Sequence, residues 1–189
     1  MLKPLVKGGL LGGLVLFVWG AVSWTVLPLH NMTLSKFTDE NAVATVITEN
    51  AKEPGVYFLP NAYHESAASE AEKKAAYEAA QKRMPEGPVV FASIRLKGMK
   101  SMAPFVLTGI VISIIGATLG TLLLLKTKET GYFRKAGYLA LFAFTAGVVC
   151  FLPYWNWFGF STAYTAASII DLTIGWFLAG LVIAKVARS

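Results

Sequence analysis

The sequence predicts an all-α polytopic membrane protein with four transmembrane helices and a small extracytoplasmic α/β insert between helices 1 and 2. The first observation is composition: 55% of the 189 residues are hydrophobic and 15% are charged, whereas soluble domains carry roughly a quarter charged residues. The mean hydropathy is +0.55. The second observation is a set of four apolar stretches close to the roughly 20 residues that cross a hydrocarbon core. The third is the way charge is distributed between these stretches.

The apolar stretches define the domain organisation. They are Gly8–Leu29, Ala103–Leu125, Ala136–Pro153 and Ala163–Ala184. Helix 1 with its N-terminal segment covers residues 1–29, the insert covers 30–102, and helices 2–4 cover 103–189. The first stretch also has features of a secretory signal peptide, because lysines precede an apolar run. The run is long and has no clean small-x-small cleavage site, so we interpret it as an anchored helix.

The charges predict how the chain is oriented in the membrane. The segments before helix 1, between helices 2 and 3, and after helix 4 hold eight basic residues and one acidic residue, a net charge of +7. These residues are Lys3, Lys7, Lys126, Lys128, Glu129, Arg134, Lys135, Lys185 and Arg188. The insert holds nine basic and nine acidic residues. Because short basic segments stay cytoplasmic, we expect both termini in the cytoplasm and a periplasmic insert, in a bacterial inner membrane.

The same distribution explains the basic pI of about 9.4. Nucleic-acid binding requires basic residues clustered on a soluble surface, and here they flank apolar helices, so we expect no nucleic-acid partner. Each helix carries a stripe of small residues at helical spacing, which favours close helix packing in lipid. The stripe of helix 3 consists of Ala136, Ala140, Ala143, Gly147 and Cys150. We therefore expect a four-helix bundle, with membrane lipid around it.

The insert reads as α-β-α-β. Helices are predicted over 38–51 and 66–84, with Ser66 or Ser69 as the N-cap of the second. Strands are predicted at 55–60 and 88–98. Isolated two-stranded sheets are marginally stable, so this insert needs a covering surface: the membrane, the helix ends or a partner protein.

Asp171 is the leading candidate site residue, because an ionisable side chain within a span is costly and commonly functional. Helical spacing from Asp171 places small and polar residues on its face of helix 4. Candidate hydrogen-bond partners for it are Tyr164, Ser168, Trp24 and Asn156. No cationic side chain lies within another predicted span, so we expect no cationic partner within the chain. Three interpretations remain: a hydrogen-bonded lock, half of a contact with another subunit or a polar cavity, and a proton or ion relay.

The remaining candidates are aromatic residues and histidines. His30, His64, Trp155 and Trp157 are candidate interface residues, the tryptophans as part of an aromatic belt at the membrane surface. The two histidines match no metal-ligand spacing. Motifs of catalysis, phosphate binding and dinucleotide binding are absent from the sequence, so we expect no catalytic residues, metal or cofactor.

Two functions follow as expectations. The first is a non-enzymatic accessory or scaffold subunit that docks a membrane or periplasmic partner, or a second copy of itself, through the insert and bundle. The alternative is a small proton- or ion-coupled transport protein that uses Asp171.

Overall fold

The computed structural model describes residues 2–61, 69–129 and 131–187. Its elements are, in chain order, α1 (Leu2–Thr25), a 3₁₀ turn (Asn31–Thr33), α2 (Glu40–Asn50), β1 (Gly55–Leu59), α3 (Glu70–Arg83), β2 (Val90–Ile94), α4 (Ala103–Lys126), α5 (Tyr132–Phe158) and α6 (Thr162–Val186). The chain divides into two compact units. One contains α1, the 3₁₀ turn and most of α4–α6; the other contains residues 36–99 with Trp157–Gly159.

Four helices in the described residues are long and apolar enough to cross a membrane, as predicted: α1, α4, α5 and α6. Several of their boundaries differ from prediction, and two of these differences involve prolines. Helix α1 ends at Thr25 instead of Leu29, because Pro28 has no N–H to continue the helix. Helix α5 continues through Pro153 to Phe158, since helical hydrogen bonding satisfies more of the backbone than a break would in apolar surroundings.

Small residues bring the long helices together. Helix α1 packs against α4 and α6, and a Cβ atom added to Gly13 would lie 2.7 Å from the Cα atom of Ile114. Helix α5 approaches α6 where a Cβ on Gly180 would lie 2.9 Å from the Cα atom of Ala136. The central apolar cluster comprises Ala117, Leu124, Leu139, Ala179 and Ile183. These approaches match the small-residue packing expected in lipid.

Two features of this packing differ from prediction. Cys150, which we placed on the packing stripe of its helix, is exposed. Leu139, which was not part of that stripe, is buried in the same helix, α5. Lys135 is also buried, and its Nζ atom donates a 3.1 Å hydrogen bond to the backbone oxygen of Ala187 at the end of α6. The amine thereby satisfies a carbonyl that the helix itself leaves unpaired and holds the start of α5 against the end of α6.

The second unit contains the predicted α-β-α-β order. Its strands pair antiparallel, with Val56 opposite Ser93 and Phe58 opposite Phe91. Neither strand contains a buried residue, and neither does α2. Phe158 belongs to this unit, where its ring stacks on that of Phe91 at 4.4 Å. The described residues thus form a two-stranded antiparallel sheet whose strands are connected through α3.

Helix α3 begins with a capping box. The Ser69 side chain accepts a hydrogen bond from the backbone N–H of Glu72, and the Glu72 carboxylate accepts one from the backbone N–H of Ser69. Hydrogen bonds from the Ser69 hydroxyl and backbone hold the pKa of Glu72 below its usual value. The other predicted cap, Ser66, lies outside the described residues.

Replacing Gly13 with alanine tests the close approach of α1 to α4. The new methyl group would collide with the Ile114 backbone, which cannot rotate away as a side chain can. We expect the free energy of unfolding to fall by about 1–3 kcal/mol, as for other overpacked sites. The measurement is thermal or denaturant unfolding of the purified protein in detergent.

Gly137→Ala is the matched control, because no atom lies within 4 Å of a Cβ added to this helical glycine. Alanine there should be neutral or stabilise by up to about 1 kcal/mol. Equal effects of the two substitutions would contradict the proposed backbone contact.

Candidate functional site: a histidine–aspartate pair

Asp171 lies on α6 and is hydrogen-bonded to α1. The indole Nε1 of Trp19 donates to the Asp171 carboxylate oxygen Oδ1 at 2.8 Å and to its backbone oxygen at 3.1 Å. Hydrogen bonds to a charged acceptor are stronger than those between neutral groups. The indole therefore compensates part of the cost of placing a carboxylate in an apolar bundle.

Gly175 makes room for this contact. It lies one helical turn after Asp171, and a Cβ atom there would sit 2.7 Å from Cδ1 of Trp19. The Trp19 ring can therefore lie directly against the backbone of α6 and reach the carboxylate. Gly175 gives the Trp19 ring space, and Asp171 accepts its hydrogen bond.

His30 approaches the same carboxylate from the chain that follows α1. After Thr25 the backbone turns, and a 3₁₀ turn beginning at Asn31 packs against α6. The Nε2 atom of His30 lies 3.3 Å from Oδ2 of Asp171, and only 2% of the His30 side chain is exposed. Its ring stacks on Trp24 with centroids 3.8 Å apart and planes 5° apart. The imidazole is thus held between an aromatic ring and a carboxylate.

The sequence analysis predicted no cationic partner for Asp171 within the chain, and the structure places His30, which is cationic only when protonated, 3.3 Å from its carboxylate. His30 lies outside the predicted span because α1 ends early and the following turn returns the chain to α6. This also places His30 in the interior of the described chain, where we had named it as a candidate interface residue. Trp19, which the sequence analysis missed as a partner, had a usable signal: it lies about 9 Å from the end of α1, at 1.5 Å per residue, near the depth of Asp171.

The other predicted members of the polar site make different contacts. The Ser168 hydroxyl donates to the backbone oxygen of Tyr164 in its own helix. The Tyr164 ring lies beside that of Phe160, with ring centroids 5.7 Å apart, and Asn156 is exposed near the end of α5. The hydrogen bond to the Asp171 carboxylate comes instead from Trp19.

The candidate interface residues occupy different environments. Trp155 is exposed, and its Nε1 donates a 3.0 Å hydrogen bond to the Thr162 hydroxyl. Trp157 is 74% exposed. His64 lies outside the described residues.

A cleft of about 270 Å³ opens between α1, α4 and α6, and Asp171 forms part of its wall. The indoles of Trp19 and Trp176 form two other parts, and Ser113 is the remaining polar side chain that lines it. His30 contacts the carboxylate without lining the cleft. We call this space the α1–α4–α6 cleft.

The arrangement places two protonatable side chains, those of His30 and Asp171, next to each other. The Nε2–Oδ2 approach is an ion-pair distance without hydrogen-bond alignment, so neither ring nitrogen of His30 has a hydrogen-bond partner in the described residues. The Ser23 hydroxyl is likewise buried and without a partner among them. These atoms retain unused capacity for water or a proton.

No protein family, curated protein or solved structure matches the chain. Its function must therefore be argued from its own residues.

Trp19→Phe tests the hydrogen bonds to Asp171. Phenylalanine retains most of the packing and removes the N–H, so the buried carboxylate loses its aligned donor. We expect the free energy of unfolding to fall by about 1.5–3 kcal/mol, the value of a hydrogen bond to a charged group. Unfolding in detergent measures it.

Trp157→Phe is the control, since the same substitution at this exposed indole should change stability by less than about 0.5 kcal/mol. A Trp19→Phe protein as stable as the control variant would show that the indole does not stabilise Asp171.

Proposed function

We propose that this protein is an integral membrane accessory subunit that binds a partner protein through its 36–99 insert. The observation that carries the proposal is the absence of buried residues in α2, β1 and β2. A folded domain ordinarily buries an apolar face against another element, and these elements leave theirs open. A partner that covers this surface supplies the missing core.

The open surface is apolar. Phe37, Val46 and Val56 are each more than half exposed, at 64%, 59% and 66%. Each strand has one neighbour in the described sheet, and the outer edge of such a strand can pair with an extended segment of another chain. An extended apolar segment of a periplasmic partner fits this chemistry, given the proposed orientation with both termini in the cytoplasm of a bacterial inner membrane.

Val46→Glu combined with Val56→Glu tests the docking surface. Charges at the centre of an apolar interface are strongly unfavourable, so we expect one stoichiometric partner to co-purify with the wild-type protein from native membranes and to be lost from the variant. Gln81→Glu is the control, because it adds a negative charge at another exposed insert position and should retain the partner.

Two results would oppose partner binding. One is purification of the wild-type protein without a stoichiometric partner after mild crosslinking. The other is retention of the partner by the Val46→Glu/Val56→Glu variant, which would show that this surface does not bind it.

A second candidate function, proton-coupled transport, is favoured by the His30–Asp171 pair. A relay requires protonatable groups inside the bundle, and two now lie 3.3 Å apart. The unpartnered nitrogen and hydroxyl atoms of His30 and Ser23 add groups that can pass a proton. In this pair the Asp171 carboxylate has a partner from the same chain, so a second subunit is not needed to supply one.

Proton flux into liposomes containing the purified protein tests this second function. Under an imposed membrane potential, wild-type vesicles should acidify faster than empty ones, and Asp171→Asn should reduce the rate at least about tenfold because it removes the proton acceptor. Asp39→Asn is the control: it removes a carboxylate outside the pair, and asparagine caps helices about as well as aspartate. Equal rates for empty, wild-type and Asp171→Asn vesicles would exclude proton transport.

A further inference from the structure

We infer that the α1–α4–α6 cleft binds a small hydrophobic cation, such as a protonated or quaternary amine with an apolar body. The inference deepens the second candidate function, since it names the class of ligand that would bind beside the protonatable pair. It rests on the chemistry of the cleft walls.

The first argument is charge. Asp171 is the sole charged side chain among the residues that line the cleft, and it is 15% exposed there. Its partner His30 is almost fully buried on the far side of the carboxylate. A carboxylate that lines an apolar space attracts a cation strongly, because the low dielectric weakens screening.

The second argument is the aromatic walls. Trp19 and Trp176 both line the cleft, and indole is the aromatic ring that binds cations best through its face. The indole N–H of Trp19 is already used by Asp171. The hydroxyl of Ser113 donates to the backbone of its own helix, at Gly109. The cleft is therefore lined by one carboxylate and two indoles, and its two side-chain donors, on Trp19 and Ser113, are already engaged.

The third argument is size. The volume of about 270 Å³ lies just below the range of roughly 300–1,000 Å³ for pockets that hold drug-sized ligands. A single aromatic or branched aliphatic group with one ammonium centre matches this space. An anionic or strongly polar solute would meet an apolar wall and a carboxylate, which makes its binding unfavourable.

The geometry also couples the cation to a proton. Two protonatable groups, His30 and Asp171, face each other at this position, and α4 contributes only the uncharged Ser113 to the cleft. A cation bound to Asp171 disfavours a proton on His30, and by linkage a proton on His30 weakens cation binding by the same factor.

The test uses benzyltrimethylammonium and its neutral carbon isostere, neopentylbenzene, with the full-length protein in nanodiscs. Quenching of tryptophan fluorescence and calorimetry report binding. The cation should bind at least about tenfold more tightly than the isostere, because the two share shape and differ in charge. Equal binding of the two would show an apolar groove for lipid or other neutral molecules and would overturn the inference, as would no binding of either.

Variants locate the site. Asp171→Asn should weaken binding of the cation at least about tenfold, because it removes the negative charge. Trp176→Leu should weaken binding by about three- to tenfold, because it removes an aromatic ring. Asp39→Asn, which removes a carboxylate in the insert, should leave binding unchanged. If Asp171→Asn fails to fold, Trp176→Leu decides the matter, because unchanged affinity in that variant contradicts the cleft.

His30→Gln separates the histidine from the site. It should retain cation binding, because His30 does not line the cleft and glutamine carries no competing proton. Binding without proton flux in liposomes would support the cation site and reject transport. Proton flux without cation binding would support transport and reject the cation site, so the two ideas fail separately.

Discussion

The structure of the helical unit depends on one constraint, the need to stabilise a carboxylate in the middle of an apolar helix. At the centre of a bilayer an aspartate costs roughly 2.5–3.5 kcal/mol on insertion scales. The chain offsets this cost with an aligned indole donor from α1 and an imidazole from the turn that follows it. Both contacts arrive from the same side of α6. Residues at the end of α1 and after it are therefore positioned by Asp171.

Small residues make that arrangement sterically accessible. Gly175 lets the Trp19 ring reach the backbone of α6, and Gly13 lets α1 approach α4 at backbone distance. At the opposite end of α6, Lys135 bonds to the terminal carbonyl of Ala187. Helix α6 is thus fixed to α1 by the carboxylate and to α5 by an amine. Lipid provides no hydrophobic drive for such contacts, so close packing and polar bonds must supply it.

Much of this organisation could be predicted from the sequence, because apolar length, small-residue spacing and charge are local signals. The four long helices and the α-β-α-β order of the insert were predicted, and both are observed. The face of α6 that carries Asp171 followed from helical periodicity. Its partners did not, because they depend on where α1 stops. A helix extended to Leu29 carries His30 away from α6, whereas the turn around Pro28 returns it.

Cys150 and Lys135 show a second limit of the sequence. Periodicity placed Cys150 on a packing face, yet it is exposed, because a helix in a bundle has neighbours on only part of its circumference. Composition placed Lys135 in a charged connection, yet it is buried, because the end of α6 presents a carbonyl that requires a donor. Which element a helix face packs against depends on the tertiary structure, so a local sequence pattern does not predict it.

The position of His30 next to the Asp171 carboxylate helps to distinguish a structural role of the pair from a role in binding a proton. A carboxylate that served only as a lock would be adequately neutralised by a proton of its own and the Trp19 hydrogen bonds. An apolar pair of similar volume often stabilises a protein as well as a buried ion pair does. His30 adds a protonatable ring whose two nitrogens have no hydrogen-bond partner among the described residues. Such a group gives little stability for its cost, which favours a role in binding a proton beside the cleft over a purely structural one.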